Sequence, residues 1–74
     1  MQSLPQLQRE LEHQVRLRTG RRVRNLAIEV QAEQVVLRGR APTYYLKQLA
    51  QHGVWDVLPH VRLKNAIVVD EAMN

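Results

Sequence analysis

The chain contains no cysteine, so no disulfide can staple it and no thiolate can hold a metal; compartment is left open by that absence. It contains no phenylalanine, and its three aromatic residues, Tyr44, Tyr45 and Trp55, fall outside every segment that reads as a strand. A sheet that stacks bases, as in RNA recognition, therefore lacks its platform. Ser3 is the only serine and sits where a helix cap belongs. The three glycines, Gly20, Gly39 and Gly53, are far apart, so neither a glycine-rich phosphate loop nor the Gly-x-x-Gly of KH domains can be drawn. His13, His52 and His60 have no metal-binding spacing, and Asp56, Asp70, Glu71 and the acids of the first helix make no recognisable acid–base pair. No apolar run approaches the ~18 residues of a membrane span. The start, Met1 to Gln6, lacks the basic and apolar stretches of a secretory signal. These absences predict a protein that is not an enzyme, binds no cofactor or metal, and stays cytoplasmic, with peripheral association as its route to a membrane.

What is present is arginine. Eleven basic residues stand against seven acidic ones, a net charge of +4, and nine of the eleven are arginine. Its planar fork suits phosphate and carboxylate. That balance predicts an anionic partner, whether lipid headgroups, nucleic acid or an acidic protein, although a modest excess can also serve solubility alone. An apolar fraction of 45% over 74 residues predicts one folded domain spanning residues 1–74, with its core between about 4 and 70.

Periodicity divides the chain into five elements. Leu4, Leu7, Leu11 and Val15 recur at helical spacing, predicting a helix over about 4–18. Ser3 and Gln6 form its capping box, and Gly20 is its left-handed stop. A strand over about 24–31 turns Leu26, Ile28 and Val30 inward. The next, from about Val35, turns Val35, Leu37, Gly39 and Ala41 inward and Val36, Arg38 and Arg40 outward. A glycine in the buried row signals a close backbone approach. The short connection through Ala32 and Glu33 predicts an antiparallel hairpin pairing Val30 with Val35, Ile28 with Leu37 and Leu26 with Gly39. Thr43 caps a second helix running toward Leu58, with Leu46, Leu49, Ala50, Gly53 and Val57 on one side. Gly53 either admits close packing against the first helix or ends the second early. Pro59 precedes a last strand over about 61–70, with Val61, Leu63, Asn65, Ile67 and Val69 inward. A crossover between the second and third strands makes them parallel. The fold class is α+β: a two-layer α-β-β-α-β sandwich with both helices on one face of a three-stranded mixed sheet.

In order and spacing these segments resemble the BON domain of bacterial proteins. The family's Val-x-Leu-x-Gly-x-small strand is matched by Val35, Leu37, Gly39 and Ala41. Its helix with an alanine on the inner face is matched by Ala50, and its closing Val-x-Val-x-Asn-x-apolar-x-Val strand by Val61 to Val69. The resemblance covers roughly Leu7 to Val69. It implies the same five-element fold and a binding module that attaches to phospholipid or to other envelope components.

Two basic groups are candidates for the anionic contact. The outward row of the sheet collects Arg38, Arg40, Arg62 and Lys64, with Glu29 placed to pair with Arg38. The end of the first helix and its loop carry Arg16, Arg18, Arg21, Arg22 and Arg24. Competing readings are a solvated face whose arginine stems shelter small apolar residues, and compensation of the helix dipole. Two partners besides lipid follow: nucleic acid through the arginines, or a second copy of the chain through the open face or an edge strand. Trp55 either lies exposed on a continuous helix or folds against the body after a bend at Gly53.

Overall fold

The computed structural model describes residues 3–70; Met1, Gln2 and the segment from Glu71 to Asn74 lie outside the described residues. The elements are α1 (Leu4–Thr19), β1 (Arg24–Val30), β2 (Gln34–Ala41), α2 (Tyr44–Val57) and β3 (Arg62–Val69). The strand order is β1-β2-β3, with β2 antiparallel to β1 and parallel to β3, so the sheet is mixed about a central β2.

Local chemistry explains the boundaries. Ser3 accepts from the Gln6 backbone N–H while the Gln6 side chain accepts from the Ser3 N–H, closing the capping box on α1. Gly20 ends α1 with φ 61°, and the Arg21 N–H reaches back to the Arg16 carbonyl at 2.9 Å. Thr43 caps α2 by accepting from the Leu46 N–H at 3.2 Å. The hairpin closes through the Gln31 N–H on the Gln34 carbonyl at 2.8 Å. Neither Ala32 nor Glu33 takes a positive φ, so the turn is not of the primed type.

Both helices cover one face. Leu11 and Val15 of α1 and Leu46, Ala50 and Val54 of α2 bury against Ile28, Val35, Leu37, Ala41 and Ile67 of the sheet. Gly53 serves close packing: a Cβ there would lie 2.7 Å from the Val15 Cα. α2 continues past Gly53 to Val57 without interruption, so the glycine does not end it. Trp55 nevertheless folds against the body. It is half-buried, its indole N–H donates to the Val61 carbonyl at 3.3 Å, and its ring meets His52 edge-on. Asn65 ties β3 to α2: its amide donates to the Lys47 carbonyl at 2.9 Å and to Gln51 Oε1 at 3.2 Å, and its Oδ1 accepts from the Ile67 N–H.

Three expectations need correction. Leu4 is 62% exposed, so the buried stripe of α1 begins at Leu7. Val36 lies on the open face yet is only 2% exposed. Its register neighbours Glu29 and Lys64 carry long side chains that shelter it on a central strand. The hairpin pairs Val30 with Val35 and Ile28 with Leu37 as expected, but Leu26 does not simply oppose Gly39. A bulge intervenes.

Candidate anion-binding cleft

The bulge builds the site. Ala27 pairs with Arg38 and Arg24 with Arg40, so Asn25 and Leu26 together stand against the single residue Gly39. Asn25 takes φ 54°, a left-handed conformation that asparagine tolerates better than most residues. Gly39 takes φ 152°, and a Cβ there would meet the Arg24 carbonyl at 2.9 Å and Val23 Cγ1 at 3.1 Å. The close approach expected from a glycine in the buried row is thus the bulged backbone of β1. The extra residue shifts the alternation by one and sets Arg24 directly across from Arg40. Like charges so placed repel.

The loop after α1 adds two more cations. Gly20 and Arg21 both have φ 61°, so the chain turns sharply and carries Arg21 and Arg22 to the same place. Arg21, Arg22, Arg24 and Arg40 line a cavity of about 260 Å³ together with Ala41 and Pro42. One carboxylate enters it. The Asp70 N–H bonds the Ala41 carbonyl at 2.9 Å, extending the sheet by one residue, and Asp70 Oδ2 accepts from Arg40 Nη1 at 3.3 Å. Among the described residues, four arginines therefore share the cavity with one carboxylate. Among the described residues, Arg21, Arg22 and Arg24 make no ion pair.

The other expected basic residues lie elsewhere. Arg38 is held by Glu29, Nε to Oε1 at 3.0 Å, the diagonal pair the hairpin register implies. Arg62 sits beside Gln34 near the hairpin turn, and Lys64 opposite Val36; both are exposed. Of the seven expected site residues, Arg21, Arg22, Arg24 and Arg40 converge, while Arg38, Arg62 and Lys64 spread over the open face. The helix-end arginines separate as well. Arg16 pairs with Glu12 at 3.5 Å, and Arg18 grips Asp56 of α2 through two bonds of 2.7 and 2.8 Å. The hydrogen bond from Arg18 holds the Asp56 carboxyl below its ordinary range; burial opposes this, and the charges of Arg18 and His52 reinforce it. Arg18 is raised in turn, chiefly by the same bond.

Two features complete the surroundings of the cleft. Asp70 belongs to no recognisable acid–base pair in the sequence, and its place follows from the parallel pairing that brings the end of β3 beside Ala41. Tyr44 and Tyr45 are 60% and 67% exposed, two and three residues beyond Pro42, which puts their backbones within about 12 Å of the cleft wall. No helix among the described residues is long and apolar enough to cross a membrane. Comparison of the chain with protein-family models, curated proteins and solved structures returns no match.

Proposed function

We propose that this chain is a non-catalytic binding module, of the kind the BON resemblance implies, which attaches to an anionic surface and to phospholipid headgroups foremost. One observation carries the reading: among the described residues, four arginines from three parts of the chain share one cleft with a single carboxylate, two of them directly opposed across the hairpin. Such an arrangement is unfavourable in the free protein and is relieved by an anion. The exposed Tyr44 and Tyr45, two and three residues along the chain from Pro42 of the cleft lining, favour a bilayer, because tyrosine rings partition to the headgroup level of a membrane.

Co-sedimentation tests this directly. The protein should pellet with anionic vesicles and stay in the supernatant with neutral ones, and reversal of Arg21 and Arg22 to Glu should abolish the pelleting. Absence of binding to every vesicle removes lipid as the partner. Nucleic acid is the second reading, favoured by the continuation of positive charge across the open face through Arg62 and Lys64. It requires a gel shift that weakens steeply with salt and that reversal of Arg62 and Lys64 relieves.

A further inference from the structure

Building on the proposed attachment to anionic lipid, we infer that the cleft is selective for a terminal phosphomonoester, the headgroup of phosphatidate, over the phosphodiester headgroups of other anionic lipids. Three observations point there. The first is the number of free donors. Arg40 is already engaged by Asp70, whereas Arg21, Arg22 and Arg24 make no ion pair among the described residues. A monoester presents three terminal oxygens to three guanidinium forks, while a diester presents only two.

The second is charge. Among the described residues, four arginines against Asp70 leave an excess of three positive charges in the cleft. A monoester brings a charge of about −1.5 to −2 near neutral pH, which offsets most of that excess. A diester brings one and leaves the Arg24–Arg40 repulsion largely standing. The third is size and backbone. The cavity of about 260 Å³ falls below the range of pockets that enclose a drug-sized or nucleotide-sized ligand. It has ample room for a phosphoryl group and its first waters. Arg21 and Asn25, the two non-glycine residues with positive φ among the described residues, bracket Arg22 and Arg24. Left-handed backbone held on either side of a pair of ligand-ready side chains, at a cost for Arg21, fits a site kept in its binding geometry before the ligand arrives.

The test uses phosphatidylcholine vesicles carrying either phosphatidate or phosphatidylglycerol at matched surface charge, with glycerol 3-phosphate as a soluble monoester followed by amide shifts in NMR. Phosphatidate vesicles should be bound roughly tenfold more tightly than matched phosphatidylglycerol vesicles. Arg24→Gln should erase most of that preference while leaving the folded spectrum intact, as expected for loss of one charge-assisted contact. Glycerol 3-phosphate should shift the amides of residues 21–24, 40 and 41. Equal binding to both vesicle types would overturn the monoester selectivity and leave attachment to anionic lipid standing. Shifts with glycerol 3-phosphate but no retention by either vesicle would keep the monoester chemistry and overturn lipid as its carrier. Absence of both would overturn the cleft as a phosphate site.

Discussion

Replacing Gly53 with alanine should destabilise the protein, although alanine is the better helix former. The gain in helix propensity is about 1 kcal/mol. Against it stands the contact with α1. The added Cβ would lie 2.7 Å from Val15 Cα, 3.0 Å from Gln14 O and 3.0 Å from Val15 N, all backbone atoms that no rotamer change can move. Carbon pairs rest at about 3.5–4.0 Å, so the helices must separate by about 1 Å. A gap of that size forfeits a quarter to a half of each contact across it. The residues that lose contact are Leu11, Val15, Ala50 and Val54, all buried. Overpacking costs about 1–3 kcal/mol, and a clash with backbone atoms that cannot yield lies in the upper part of that range, about 2–3 kcal/mol, leaving a net loss of about 1–2 kcal/mol. A core this small supplies only about 3–5 kcal/mol in total, so the loss is a large share. At about 4–8 °C per kcal/mol, Tm should fall by roughly 5–15 °C. Thermal and urea unfolding followed by circular dichroism would measure it, and valine at the same position should be worse than alanine. A Gly53→Ala protein as stable as the parent, or more so, would show that the helices do not touch there.

Three further outcomes follow from the same geometry. Arg21→Asn should raise Tm by a few degrees, because asparagine tolerates the left-handed conformation that costs arginine about 1 kcal/mol, and it should weaken binding to anionic vesicles; a variant that gains neither stability nor loses affinity would refute the trade. The Asp56 carboxyl is held low by Arg18, so its contribution to stability is complete above the ordinary carboxylate range and is lost as pH falls through the folded-state value. Stability should therefore drop on acidification below about pH 4, and Asp56→Asn should flatten that drop; identical acid profiles would contradict the pair. Trp55 lies eleven residues, about 16 Å, along α2 from Tyr44, so its emission should be that of a half-shielded indole and should not shift when the protein docks on vesicles. A blue shift on docking would place the wrong end of α2 at the membrane.

The layering was legible because each boundary had a local cause. Ser3 with Gln6, Gly20 and Thr43 begin or end helices through their own side chains or conformations, and Ile28 and Leu37 pair because one face must be buried. The basic face was legible for the same reason: Arg38 and Glu29 lie on the row the core does not use. The cleft was not, because it depends on a single inserted residue. Once Asn25 and Leu26 share Gly39 as a partner, Arg24 faces Arg40 across the hairpin and links the loop arginines to the sheet. Asparagine before an apolar residue, facing a glycine across a hairpin, is the only local sign of such a bulge. Burial of Val36 was equally non-local, since it follows from occupying the middle strand between Glu29 and Lys64. Asp70 needed the parallel pairing of β3 to become a neighbour of Arg40, thirty residues away.

The most direct measurement compares two double variants that remove the same charge from different places. Arg22→Gln with Arg24→Gln empties half of the cleft, and Arg62→Gln with Lys64→Gln strips the open face. In co-sedimentation with anionic vesicles, the first pair should lose binding and the second should retain it. Equal losses from both, or a loss confined to the Arg62 and Lys64 pair, would contradict the assignment of the cleft.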